Sequence, residues 1–152
     1  AREPGVRTKI AVSANTPGVD PVGTFVGGHG TRVQAVTGEI GEQEKIDIVV
    51  WAAEITEFIS NALSPTNPTR VQVDAATKKA VVTVPVEQLS IAIGKAGQNV
   101  RLASKLTGYE IDIVPEAEVS QVTEVPKSKP KRKEDLEGGL LDAIAEHGEV
   151  VK

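Results

Sequence analysis

The sequence predicts an α+β protein, an α/β sandwich built from two tandem copies of one unit, the first copy truncated at its N-terminal side and a disordered tail following the second. Three observations carry this. Short β-branched runs alternate with runs whose apolar residues recur at helical spacing. The stretch FVGGHGTRVQAVTGEIGEQEKIDIV can be set over SIAIGKAGQNVRLASKLTGYEIDIV: Gly27 and Gly30 precede Gly94 and Gly97 by 67 residues, as Val33 precedes Val100 and Gly41 precedes Gly108. The IDIV runs recur at a spacing of 65, so the first copy holds two additional residues before its strand. An internal repeat of this kind outranks any local propensity in deciding the architecture. Finally, the pattern of the first 118 residues gives way to a polar, charged stretch, which places the units at 1–51 and 52–118 and the tail at 119–152.

Taken in order, RTKIAVSA reads as a strand, a short helix follows near residues 22–26, then the glycine loop, a helix from Thr31, and KIDIVV as a closing strand. The opening helix and strand of the unit are missing from this copy, and the absence of any methionine, the initiator included, suits an excised or processed chain. In the second copy AEITEFISNAL places Ile55, Phe58, Ile59 and Leu63 on one helical face and stops before Pro65. RVQVD and KAVVTV, separated by AATK, form a hairpin. Residues 86–93 make a helix with Pro85 at its start, where a missing N–H costs little. Residues 98–106 make the next, with Val100, Leu102, Ala103 and Leu106 on its apolar side, and Gly108 suits a left-handed stop. YEIDIV is the last strand, so the order is α-β-β-α-α-β. In the tail, VPKSKPKRKEDLEGG has little to bury and reads as linker, while Leu136, Leu140, Leu141 and Ile144 outline a short amphipathic helix at 136–147.

Composition removes several functions. No run approaches the roughly 18 apolar residues of a membrane span, and AREPGVRTKI lacks the core of a signal peptide, so a cytoplasmic protein without membrane association is expected. With no cysteine there are neither disulfides nor thiolate metal sites. The aromatic residues are Phe25, Trp51, Phe58 and Tyr109, too few for a recognition sheet of stacked rings. A net charge of −4 argues against indiscriminate nucleic-acid binding, which relies on a basic field, but leaves room for a local basic patch. No nucleophile–base pair or metal cluster stands out, and the histidines, His29 and His147, lie in the first loop and the tail. We therefore expect no enzyme, no catalytic residue, no metal and no cofactor. Trp51 is expected to pack between the units, and Asp47 and Asp112 to occupy the solvent-facing positions of their strands.

The chemistry lies in the loops Gly27-Gly28-His29-Gly30 and Gly94-Lys95-Ala96-Gly97. Glycines without a Cβ let another backbone approach, and the unpaired N–H groups at the start of the following helix suit a phosphate. One G-x-x-G is a weak signal. Two at equivalent places in a repeat, each followed by a helix and IDIV, are a strong one. Neither the dinucleotide fingerprint G-x-G-x-x-G after a strand nor the G-x-x-x-x-G-K-[ST] phosphate loop is present.

The element order, with G-x-x-G between its second and third helices, resembles a bacterial-type (type II) KH domain, whose loop clamps a few backbone nucleotides. More narrowly, RTKIAV, DPVGTFVGGHGTRVQAV, EKIDIVVW, NALSP and VPVEQLSIAIGKAGQNVRLASKLTGYEIDI resemble, over about residues 2–115, the paired KH domains of the NusA family of bacterial transcription factors. The resemblance implies binding of single-stranded nascent RNA during elongation, termination and antitermination, with the RNA polymerase elongation complex as partner of the full-length protein, and a monomer. It implies RNA contacts at Gly27, Gly28, His29, Gly30 and Arg32 in the first copy. In the second it implies contacts at Gly94, Lys95, Ala96, Gly97, Gln98, Asn99, Arg101 and Lys105, with Ile111 and Ile113 as the apolar floor. The first loop lacks the usual basic residue, which Arg32 is placed to replace, so the second loop is expected to grip better. A KH module of a translation or ribosome-maturation protein is the alternative, and a protein-interaction module with vestigial grooves is another.

Overall fold

The computed structural model describes residues 1–117, and the tail readings, the helix at 136–147 among them, lie outside the described residues. Residues 1–117 fall within one compact unit and hold two three-stranded sheets. The elements are β1 (Arg2–Glu3), β2 (Arg7–Val12), α1 (Pro21–Val26), α2 (Thr31–Ile40) and β3 (Lys45–Val50), then α3 (Ile55–Ala62), β4 (Arg70–Asp74), β5 (Lys79–Val84), α4 (Leu89–Ile93), α5 (Gln98–Thr107) and β6 (Glu110–Pro115).

The repeat is exact in topology. Each sheet pairs an antiparallel first strand with the middle one and a parallel last strand with the middle one, in the order β1-β2-β3 and β4-β5-β6. This corrects one expectation: the first copy does not lack its opening strand, because Arg2 and Glu3 pair with Thr8 and Arg7 where β4 pairs with β5. A two-residue strand is too short to show a period of two. A second correction concerns residues 86–93. Gln88 departs from helical ψ, splitting the segment into a 3-10 turn, Val86–Gln88, and α4.

The second copy has the complete core. Ile59 and Ala62 of α3 and Leu63 just after it pack with Ala80, Val82 and Val84 of β5 and with Ala92, Ala103, Tyr109 and Ile111. Burying each of the larger aliphatic side chains stabilises by about 1.5–3 kcal/mol. In the first copy no residue of α1 or α2 is fully buried. Phe25, Arg32 and Val36, which correspond to Ala92, Asn99 and Ala103 beneath α3, instead line an open cavity of about 490 Å³.

The two additional residues of the first copy have a structural reason. They bring Glu44 under the β1–β2 turn, 2 % exposed, where its carboxylate accepts from Arg2 Nε at 2.7 Å and Nη2 at 3.0 Å, from the Gly5 N–H at 2.9 Å, and from the Thr8 hydroxyl. Arg2, Thr8 and Gly5, in that order, hold the carboxyl of Glu44 down at about 2. The corresponding residue of the second copy is Tyr109, which touches the matching turn through the ammonium of Lys78, 4.9 Å from the ring centre.

The copies also pack on each other. The face of β2 away from α1 and α2 carries Lys9, whose buried ammonium donates to the carbonyl of Ser64 at 3.2 Å, just beyond α3. Asn61 Nδ2 donates to the carbonyl of Val50 at 3.1 Å. Asp47 is therefore not a plain solvent-facing residue: it is ion-paired with Arg7 at 2.8 Å and with Lys9 at 3.5 Å, whereas Asp112 is exposed as expected. Trp51 does not fill an interface either. It is 49 % exposed, with its ring 6.4 Å from that of Phe58 and tilted by 58°.

Candidate nucleic-acid interface

Each loop is a tight 3-10 turn between two helices, and the turns share one conformation. Gly27 and Gly94 have φ/ψ of 77°/170° and 77°/172°, His29 and Ala96 54°/23° and 54°/29°, and Gly30 and Gly97 76°/16° and 71°/16°. The two glycines of a loop answer different requirements. A Cβ on Gly94 would stand 2.8 Å from the backbone nitrogen and Cβ of Asn99, so this glycine lets the turn close on the helix behind it. Around Gly97 there is open space, and what it supplies is a left-handed φ that side chains resist. Close approach to the first glycine is thus made by this chain's own helix.

The helix starts are also less open than expected. The N–H groups of Thr31 and Gln98 return to the carbonyls of Gly28 and Lys95. Behind each turn a side chain braces the preceding helix from equivalent positions: Arg32 Nη1 donates to the carbonyl of Thr24 at 2.7 Å, and Asn99 Nδ2 to that of Ala92 at 2.9 Å. Asn99 is buried, 4 % exposed, and its amide lies inside the fold. Arg32 is exposed but partly engaged.

Of the predicted residues, Gly28, His29, Lys95 and Ala96 are exposed at the tips of the turns, and Lys95 takes part in no ion pair among the described residues. Gln98 and Arg101 reach Glu3 of the first copy, at 3.0 and 2.5 Å, and Lys105 is exposed farther along the same helix. Ile111 belongs to the core and Ile113 packs against it, both on the edge strand β6, where the Ile111 N–H is taken by Ser104 Oγ at 3.1 Å. Sequence reasoning passed over Ile91 and Ile93, exposed by 52 % and 36 % on the helix that enters the second turn. The run IAI signals this, since three successive apolar residues cannot all face one core, and only Ala92 is buried. Among the described residues no group of three or more His, Asp or Glu is placed to hold a metal, and no helix is long and apolar enough to cross a membrane.

Two β-α-α-β cores, each with a G-x-x-G turn between its helices, define a tandem KH module. Residues 1–51 match the model of the NusA-like first KH domain and residues 55–121 that of the NusA-like second KH domain. The chain belongs to the NusA family. It is 52% identical over 124 residues to the transcription termination/antitermination protein NusA of Thermus thermophilus, covering 82% of this chain and 32% of that protein. To the protein of the same name in Bacillus subtilis it is 48% identical over 136 residues, 90% of this chain and 36% of that one. The chain thus spans about a third of the length of these curated relatives. The crystal structure of APE1850 shares the fold, with a TM-score of 0.54 at 23% identity over 74% of this chain and 80% of that one.

Proposed function

We propose that this chain is the part of a transcription termination/antitermination factor that holds single-stranded, nascent RNA while the full-length protein acts with RNA polymerase, and that it works by binding without catalysis. One observation carries the reading: two G-x-x-G turns with the same backbone conformation, each between paired helices, with exposed residues at the tip. A KH turn of this kind clamps about four backbone nucleotides. Because the first N–H of each following helix is bonded back into the turn, the amides offered to phosphate are those of Gly28–His29 and Lys95–Ala96. Lys95 adds a compact charge that forms no ion pair among the described residues. Ile91 and Ile93 offer the apolar surface beside the turn on which bases rest. Membership of the NusA family favours this reading over a translation or ribosome-maturation module.

The test is replacement of Lys95 and Ala96 by aspartate, with fold checked by circular dichroism and binding to fluorescent single-stranded RNA measured by anisotropy. Like charge against phosphate should lower affinity at least tenfold. A folded variant with undiminished affinity removes the RNA-grip reading and leaves a protein-interaction module.

A further inference from the structure

Gln98, Arg101 and Lys105 stand at i, i+3 and i+7, one stripe of α5. That stripe begins at the second turn, where the family resemblance implies RNA contacts. The structure puts a carboxylate there instead. Glu3, the last residue of β1 in the first copy, divides its oxygens between two partners. Oε2 accepts from Gln98 Nε2 at 3.0 Å, and Oε1 accepts from Arg101 Nε at 2.5 Å. The other end of the guanidinium, Nη1, donates to the carbonyl of Ala96 at 3.2 Å, inside the turn. Lys105 adds its charge on the same side of Glu3. A continuous chain of bonds therefore runs from β1 through Glu3 and Arg101 to the tip of the second loop.

Several features make this more than an incidental surface pair. The Glu3 side chain is only 20 % exposed, against 46 % for Arg101, so the pair is sheltered on its carboxylate side, whereas ion pairs solvated on all sides contribute little. It is presented by a short strand whose other residue, Arg2, is anchored by two bonds to the buried Glu44. The guanidinium meets a carboxylate with one edge and a backbone carbonyl with the other, a fork that a lysine would not reproduce.

We infer that Glu3 is a positioning residue: it latches the first copy onto the stripe of α5, holds the second turn through Arg101, and fixes the spacing between the two turns. This rests on the RNA reading above and deepens it. RNA that reaches both turns gains affinity from the effective concentration of the second site, and that gain depends on a set geometry between them. A short RNA held by one turn gains nothing from it. Arg101 accordingly acts on RNA through the latch and not by touching phosphate.

The experiment compares the 152-residue chain with Glu3→Ala, Glu3→Gln, Arg101→Leu and the Glu3→Ala/Arg101→Leu double variant. Two 5′-labelled random-sequence RNA pools serve as probes, one of about four nucleotides, the length a single KH turn clamps, and one of about twelve. Glu3→Ala should weaken the longer RNA about three- to tenfold and leave the shorter within about twofold, as expected for lost effective concentration. Arg101→Leu, which also frees the Ala96 carbonyl in the turn, should weaken both, and the longer RNA more. Glu3→Gln, which keeps the shape and guards against a folding defect, should lose less. The double variant should lose less than the two single losses combined, since both remove the bond between Glu3 and Arg101. Equal loss on short and long RNA in Arg101→Leu, with Glu3→Ala silent, would make Arg101 a phosphate contact and overturn the latch. So would wild-type affinity of Glu3→Ala for both pools. If the wild-type chain binds neither pool, the RNA reading fails, and the latch is judged separately by residual dipolar couplings. Looser alignment of the two copies in Glu3→Ala supports it, and unchanged alignment refutes it.

Discussion

Lys9 and Ser64 meet across the two halves of the chain: the ammonium of a fully buried lysine in β2 donates at 3.2 Å to the carbonyl that follows α3. A charge in such a place must be paired, and Asp47 supplies the counter-ion at 3.5 Å. Lys9→Ala leaves a void and removes the donor from both acceptors, so it should lower unfolding stability by about 2–4 kcal/mol in a urea titration. Lys9→Met, which keeps the stem, should cost less. Burial is the main cause that pulls the pKa of Lys9 below its ordinary 10.5, against the opposing pull of Asp47. The native state thus disfavours the charge, and stability should rise as pH climbs toward 10.5, a rise absent from Lys9→Met.

Glu44 and Glu3 set the acid side. Both carboxyls are held at about 2, Glu44 chiefly by Arg2 and Glu3 chiefly by Arg101, against an ordinary 4.5. A depressed native pKa stabilises fully above the unfolded value and is lost as pH falls through the native one. Stability should therefore decline between about pH 4.5 and pH 2. Glu44→Gln should flatten part of that decline when denaturation midpoints are followed against pH.

Two of the three positive-φ sites of the second turn, Gly94 and Ala96, should respond differently to substitution. Gly94→Ala forces a contact of 2.8 Å with the backbone of Asn99 and a strained φ, and should cost about 2–4 kcal/mol in thermal melts. Ala96 already has a φ of 54°. Ala96→Gly relieves that strain while raising unfolded-state entropy, so the net change should stay within about 1 kcal/mol.

Lys95 and Gly28 occupy equivalent positions, and only the first carries charge. Lys95→Ala should weaken RNA binding about evenly across sequences and reduce the salt slope by about 1. Gly28→Lys should do the reverse, because open space surrounds its missing Cβ and no positive φ is required there. Anisotropy titrations at several salt concentrations decide both. A Gly28→Lys variant that binds no better would show that the first turn does not meet phosphate.

Much of this protein was legible from local pattern. The matched glycines, the apolar faces of α3 and α5, the 70–84 hairpin and the Gly108 stop each involve residues within a few positions of one another, where spacing and backbone preference settle the outcome. Where reading failed, the deciding neighbour was distant. Arg2–Glu3 is a strand only because β2 lies beside it. Asn99 looked like a ligand contact because it follows the loop, yet burial beneath α3 turns its amide inward. Asp47 and Asp112 stand at the same point of one motif, and only Asp47 lies on a face that the other copy covers.

By itself, then, the sequence determined two α-β sandwiches with a G-x-x-G turn in each, because helical period, strand alternation and glycine conformation are properties of short segments. Only the tertiary structure decided which polar side chains remain free for a partner. Glu3 claims Gln98 and Arg101 from 95 and 98 residues away in the chain. Lys9 is buried and donates to the carbonyl of Ser64, 55 residues away in the chain. Such pairings depend on how the two copies pack, and the charge of a residue does not say which opposite charge the fold will bring to it.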